Sequence, residues 1–321
     1  MPEENKMVEK KVLVFHSQYA DLYRELLEKG MPETELFVCR DPEEVEKWGP
    51  EVEIAFVPRN FPQSLFKKMP RLKWVQVMAA GVENFIENAE QFRNILVCRI
   101  VGAFGKYMVE YVLAYILYLS QDIRRVLKAQ GEKKWDPFLV EFIHRKTIGI
   151  MGLGTIGSFV AEKANGMGLR VITWDMVHRE IPVVDHQYKA DQMKEFLGEA
   201  DYVLLTLPAT PQTTNLIDQS VFKAMKKTAY LINICRGAVV DEPALVEALK
   251  GKEIAGAILD VVKEEPLPPQ SELWDCPNLI LSPHISGPSL PEDIVAVFKE
   301  NFRRYVHKEP LLGQVNFERG Y

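Results

Sequence analysis

The chain is poor in cysteine and has no long apolar run, no excess of positive charge and no Pro-, Gly- or Ser-rich tract that would mark a linker. Each lack excludes something. The four cysteines, Cys39, Cys98, Cys235 and Cys276, are scattered without a Cys-x-x-Cys pair. Neither a disulfide framework nor a zinc site is therefore expected, and no other metal centre is. Three of the four sit in or beside apolar runs, a pattern that suits reduced, buried thiols in a cytoplasm. A membrane span needs about 18 consecutive apolar residues, and no segment reaches that. Met1 to Lys11 is charged and lacks the apolar core of a secretory signal. A formal net charge of −6 argues against a nucleic-acid surface, which needs a basic face. What remains is a soluble globular chain. Its 321 residues, 47% hydrophobic and 26% charged, are about right for two domains.

The most informative stretch runs from Thr147 to Gly157. A short apolar strand enters Gly152-Leu153-Gly154-Thr155-Ile156-Gly157 and continues into a helix. In such a Gly-x-Gly-x-x-Gly turn, Gly152 permits the tight bend, Gly154 lets a pyrophosphate approach the backbone, and Gly157 lets helix and strand pack closely. The amides and dipole at the helix start favour a phosphate anion. A second strand, Leu169–Trp174, ends in Asp175, eighteen positions beyond Gly157, close to the roughly 20 expected of a carboxylate that binds an adenosine ribose. NAD is therefore the expected cofactor. NADP stays possible because His178 and Arg179 follow, and an arginine here can accommodate a 2′-phosphate.

The first hundred residues alternate strand-like segments (Lys11–His16, Glu35–Cys39, Val52–Val57, Trp74–Met78, Ile95–Ile100) with helical ones (Asp21–Lys29, Pro42–Trp48, Gln63–Met69), the signature of a parallel α/β sheet. One long helical segment is expected over Phe104–Gln130. The dinucleotide unit then continues through strands at Tyr202–Leu207, Ala229–Ile234, Ala255–Leu259 and Leu279–Leu281, with a helix at Pro243–Lys250. The last helix, Glu292–His307, lies beyond the final strand and is expected to return to the first lobe. That sets the domains at 1–102 with 288–321, and 103–287, joined by crossings near Gly102–Phe104 and Gly287–Leu290.

Three polar residues lie just beyond apolar strands of the second domain, where open α/β sheets bind ligands: Arg236, Glu265 and His284. Reducing a ketone needs an acid to protonate the oxygen, which histidine can supply near neutral pH. It needs a carboxylate to orient that histidine and favour its charged form. It also needs a cation for the substrate's carboxylate and carbonyl, and a planar arginine suits that bidentate task.

These segments resemble the D-isomer-specific 2-hydroxyacid dehydrogenases, and glyoxylate/hydroxypyruvate reductases among them. The resemblance spans nearly the whole chain. It rests on Leu207–Thr214, on Leu231–Asp241 around Arg236, on Leu259-Asp260-Val261 through Glu265-Pro266-Leu267-Pro268, and on Ser282-Pro283-His284-Ile285-Ser286-Gly287. It implies two Rossmann-like lobes: a doubly wound NAD-binding domain inserted into a flavodoxin-like substrate domain, with substrate in the cleft between them. It implies that Arg236 binds substrate, that Glu265 pairs with the acid/base His284, and that Asp260 holds the nicotinamide carboxamide. Further dinucleotide contacts are implied for Thr155, Ile156, Leu207, Pro208, Thr213, Ile234, Cys235, Arg236, His284 and Gly287. In the first lobe, Met78–Asn84 resembles the substrate loop, whose amides around Ala80 and Gly81 would hold a carboxylate.

Two positions depart from the family's habit. Lys263 stands where an acid is often found, and Glu83 stands where Asp is; the second could shift substrate preference. Glu265 is not the Gln of formate-oxidising members, so that reaction is not expected. Apolar residues on more than one face of Phe104–Gln130, among them Val109, Val112, Leu113, Ile116 and Leu117, require burial on several sides, and the family pairs through this region. A homodimer is expected, and Trp135 resembles a tryptophan that some reductases place near the partner's site. The leading expectation is an NAD-dependent reductase of glyoxylate or hydroxypyruvate. Alternatives are a phosphoglycerate dehydrogenase without a regulatory domain and an NAD(H)-sensing binding protein on the same fold.

Overall fold

Runs such as Lys-Lys-Val-Leu-Val-Phe bury nearly every side chain once the strand is under way, which happens when helices cover both faces of a parallel sheet. The computed structural model describes residues 10–31 and 34–320; the charged start of the chain, residues 1–9, lies outside them. The described residues fall into two compact units, one within Met1–Ala103 and Ser289–Tyr321, the other Phe104–Pro288.

In the first unit, β1 (Lys10–Phe15), α1 (Ala20–Glu28), β2 (Thr34–Cys39), α2 (Pro42–Trp48), β3 (Ile54–Val57), β4 (Trp74–Val77), α3 (Glu83–Glu87) and β5 (Leu96–Cys98) follow in sequence. The sheet order is β2-β1-β3-β4-β5, all parallel, the flavodoxin-like order. α2 starts where its residues dictate: the Asp41 side chain accepts the Glu44 amide at 3.0 Å and Pro42 occupies the first turn. The helix expected at Gln63–Met69 is a 3-10 segment, Gln63–Lys68.

The second unit holds α4 (Gly105–Ser120), α5 (Ile123–Gly131), β6 (Thr147–Met151), α6 (Thr155–Gly166), β7 (Arg170–Trp174), β8 (His186–Tyr188), α7 (Met193–Glu199), β9 (Tyr202–Leu205), α8 (Gln219–Ala224), β10 (Tyr230–Asn233), α9 (Glu242–Lys250), β11 (Gly256–Leu259) and β12 (Leu279–Leu281). Its sheet runs β12-β11-β10-β9-β6-β7-β8, again parallel. The order reverses at β6, so the Gly-rich turn sits at the topological switch point of a doubly wound sheet. β8 escapes a sequence reading: it is three residues long, pairs only with β7, and has no apolar run.

The single long helix expected over Phe104–Gln130 is two helices. Asp122 takes a left-handed backbone (φ 44) and accepts the Arg125 amide, capping α5 as α4 ends. Val109, Val112 and Ile116 are buried, and α4 packs on α6. The apolar residues left outside are Leu117 and, further along, Val126, Leu127, Trp135 and Leu139, the last two 97% and 98% exposed.

The closing helix, α10 (Pro291–Val306), belongs to the first unit and packs on α1. Phe298 stacks on Phe56 and Trp74, with ring centroids at 4.3 and 5.3 Å. The fully buried Asn301 donates to the Gln76 side-chain oxygen Oε1 at 2.8 Å and accepts the Leu312 amide at 2.7 Å.

Candidate active site

The turn after β6 is shaped by its glycines. Gly152 has φ 97, a conformation only glycine adopts cheaply. At Gly157 a Cβ would fall 2.2 Å from the Gly152 carbonyl oxygen, so the third glycine packs the helix against the turn itself. A Cβ at Gly154 would meet nothing within 4 Å. Gly154 caps α6 without a side chain, leaving the first amides of a twelve-residue helix to an external acceptor. Thr155 is exposed and Ile156 half-buried beside them. The Asp175 carboxylate accepts the Leu153 amide at 2.6 Å and the Val177 amide at 2.9 Å, and the Arg179 guanidinium donates to the Leu153 carbonyl. The Leu153 peptide is thus held from both sides, and each carboxylate oxygen keeps a further lone pair. An open cradle, an unfilled helix start and an acid beyond the next strand fit a dinucleotide.

The second cluster gathers beyond β10, β11 and β12. The fully buried Asn233 accepts the Cys235 amide and donates to the Arg236 carbonyl, both at 3.0 Å, which sets the bend that presents Arg236. A Cβ on Gly237 would lie 2.0 Å from the Val262 carbonyl carbon, so the arginine loop lies directly on the backbone that leads to Glu265. The arginine itself donates to the Cys235 carbonyl at 2.6 Å. Glu265 Oε2 stands 2.8 Å from His284 Nδ1, both side chains one-third exposed. A carboxylate only accepts, so Nδ1 carries the hydrogen and Nε2 is left to take or give the reacting proton.

His284 has φ 55, uncommon for a non-glycine residue. Its loop is held by Asp260, only 1% exposed, whose carboxylate accepts the Ile285 amide at 2.8 Å, the Ser286 amide at 2.9 Å and the Ser282 hydroxyl at 2.7 Å. Three of its roughly four acceptor positions are thus used inside the protein.

The other positions singled out from sequence are placed as follows. Leu207 is buried and Pro208 exposed. The Thr213 hydroxyl lies 2.7 Å from the Pro208 carbonyl and accepts the Thr210 amide at 2.8 Å, closing that loop on itself. Ile234 and Cys235 are buried. The Cys235 thiol lies 3.1 Å from Asn233 Oδ1, and burial pushes it up to about 11. Gly287 lies beside Met108 and Phe104.

In the first unit, Met78 donates to Val57 and Ala79 accepts from Ile100, fixing the start of the loop. Among the described residues the amides of Ala80 and Gly81 donate no hydrogen bond. Asn84 donates to the Arg59 carbonyl at 3.2 Å, tying this loop to the one after β3.

Sequence reasoning missed Asn233, Thr206 and the reason for Gly237. A polar residue inside the run Leu231-Ile232-Asn233-Ile234 was the available signal for the first. Thr206, whose hydroxyl lies 2.5 Å from the Gly152 carbonyl, gives none.

Residues 113–286 match the family model for the D-isomer specific 2-hydroxyacid dehydrogenase, NAD binding domain. The chain is 34% identical over 289 residues to a glyoxylate reductase of Pyrococcus horikoshii, covering 81% of this chain and 85% of the relative. It is 30% identical over 256 residues to a glyoxylate/hydroxypyruvate reductase A of Escherichia fergusonii, covering 78% and 82%. Among solved structures it resembles an NADPH-dependent glyoxylate/hydroxypyruvate reductase of Sinorhizobium meliloti in complex with NADP and sulfate. That match has a TM-score of 0.89 at 27% identity and covers 98% of this chain and 100% of the other.

Proposed function

Because the chain belongs to the D-isomer specific 2-hydroxyacid dehydrogenase family, we propose that it reduces glyoxylate or hydroxypyruvate to the corresponding 2-hydroxy acid. As a member it is an oxidoreductase that works with a nicotinamide dinucleotide. The observation that carries the reading is the Glu265–His284 contact at 2.8 Å, beyond β11 and β12, which follow in sheet order from β10, the strand that presents Arg236. The relatives' names supply the substrate class.

The reduced dinucleotide, when bound, supplies the hydride. Gly152, Gly154 and the first turn of α6 hold its pyrophosphate through backbone amides, and Asp175 takes the adenosine ribose. Arg236 holds the keto acid's carboxylate and polarises its carbonyl, which a planar fork does better than an ammonium. His284 Nε2 delivers a proton to the carbonyl oxygen as negative charge develops there, and Glu265 stabilises the imidazolium that precedes the transfer. In the first unit, the unsatisfied amides of Ala80 and Gly81 are carboxylate donors of the same kind. Asp175 favours NAD(H), since a carboxylate repels a 2′-phosphate, and Arg179 is already engaged with the Leu153 carbonyl.

Trp135 and Leu139 are exposed apolar side chains that a homodimer would cover. Four free, buried thiols suit a cytoplasmic setting. Among the described residues no helix is long and apolar enough to cross a membrane.

The test is a panel of glyoxylate, hydroxypyruvate, pyruvate and 3-phosphohydroxypyruvate with NADH and NADPH. Highest kcat/KM for one of the first two with NADH is expected. Binding of NADH without turnover on any acid would mark a sensor, and preference for the phosphorylated acid would move the assignment to phosphoglycerate chemistry. Light scattering at micromolar concentration should give twice the 36.8 kDa chain mass.

A further inference from the structure

The loop that carries His284 is fastened to a helix that no motif in the sequence connects with it. Tyr111, half-buried on α4, places its hydroxyl 2.6 Å from Ser282 Oγ, and Ser282 Oγ lies 2.7 Å from Asp260 Oδ1. Asp260 in turn receives the amides of Ile285 and Ser286, and its carbonyl receives the His284 amide at 2.9 Å. We infer that Tyr111 and Ser282 are positioning residues that hold His284 in its working orientation through Asp260. The inference rests on reading His284 as the proton donor.

The hydrogens in this chain run in one direction. The buried carboxylate accepts, so Ser282 donates to it. That uses the one hydrogen Ser282 has, so Tyr111 must donate to Ser282. Burial raises Tyr111 well above the usual phenol range, which keeps it a donor across the working pH range. The order matters because of what hangs on its end. A non-glycine residue at φ 55 is held there only when its surroundings over-determine it, and Asp260 supplies bonds on both sides of His284. Were the carboxylate free to turn, the imidazole would lose its aim. A misplacement of about 1 Å at a reacting group costs about a hundredfold in rate, so small rotations at Asp260 reach the chemistry. Both hydroxyls are bonded within this chain and act through Asp260.

The test removes one link at a time and reads kcat, keto-acid KM and thermal midpoint. Tyr111→Phe deletes a single hydroxyl and should lower kcat about fivefold, as loss of one hydrogen bond of about 1 kcal/mol implies. Ser282→Ala should lower it about tenfold or more, with KM changed less than about twofold. Ser282→Thr keeps the hydroxyl and should restore turnover. The double variant Tyr111→Phe/Ser282→Ala should be no slower than Ser282→Ala alone, because members of one chain of bonds are not additive.

Wild-type kcat in both single variants would overturn the inference. So would additive losses, or a lower thermal midpoint with kcat unchanged. His284→Ala assayed alongside separates the two failures. If it turns over normally, the reading of His284 itself is wrong. If it is inactive while Tyr111→Phe and Ser282→Ala are normal, only the positioning chain is.

Discussion

The two units use the same architecture for different ends, and the contrast lies in where each buries polar groups. Both are parallel sheets flanked by helices, and both bury an amide side chain from the middle or end of a strand. In the first unit, Gln76 and Asn301 bond each other and fasten α10 and the segment at Leu312 to the sheet. In the second, the buried Asn233 and Asp260 and the half-buried Ser282 follow one another at the ends of β10, β11 and β12 and bond the loops there. The first arrangement closes a domain. The second aims side chains. Buried polarity is costly unless satisfied, so spending it on loops rather than on closure marks the unit where side-chain chemistry is done.

The largest expected effect sharpens that contrast. His284→Ala in the second unit should lower kcat by ~10²–10⁴-fold, the range of lost general acid catalysis, while NADH affinity measured by fluorescence titration changes little. The matching change in the first unit, Phe298→Ala, should cost about 3–5 kcal/mol of stability by removing a stacked core ring. Its kcat at a temperature where it stays folded should be near normal. A kcat collapse in folded Phe298→Ala would break the comparison.

Arg236→Lys should raise KM for the keto acid, and lower kcat if the guanidinium also polarises the carbonyl, because an ammonium cannot reproduce the fork. Steady-state kinetics separates the two. The smallest effect concerns reactivity. Burial pushes the Cys39 and Cys98 thiols up to about 12 and Cys235 up to about 11. A raised value means less thiolate, the reactive form, at any pH below it. At pH 8 the native chain should therefore alkylate far more slowly than the urea-unfolded chain, in which all four thiols become accessible. Equal rates would show that the thiols are not buried as described.

The same contrast explains what the sequence disclosed. The strands of both sheets are mostly apolar runs, so nearly every one was legible, from Lys10–Phe15 to Leu279–Leu281. The chemistry of the second unit was legible because it rests on side chains at fixed offsets from those runs: Asp175, Arg236, Glu265 and His284. In the first unit the candidate donors are backbone amides at Ala80 and Gly81, which have no side-chain signature and were visible only through a family resemblance. The break between α4 and α5 was hidden because Gln121-Asp122 contains neither Pro nor Gly; a capping aspartate in a left-handed conformation ends the helix instead. Tyr111 was hidden because its partner lies 171 residues away in sequence.

The claim on which the account turns is that Glu265 holds the His284 imidazole in place to give a proton, and the kinetics of keto-acid reduction in Glu265→Ala test it most directly. Removing the acceptor frees the ring, and a misplacement of about 1 Å at a reacting group costs about a hundredfold in rate. The variant should lose about a hundredfold in kcat while it still binds NADH. Wild-type kcat in folded Glu265→Ala would contradict the account.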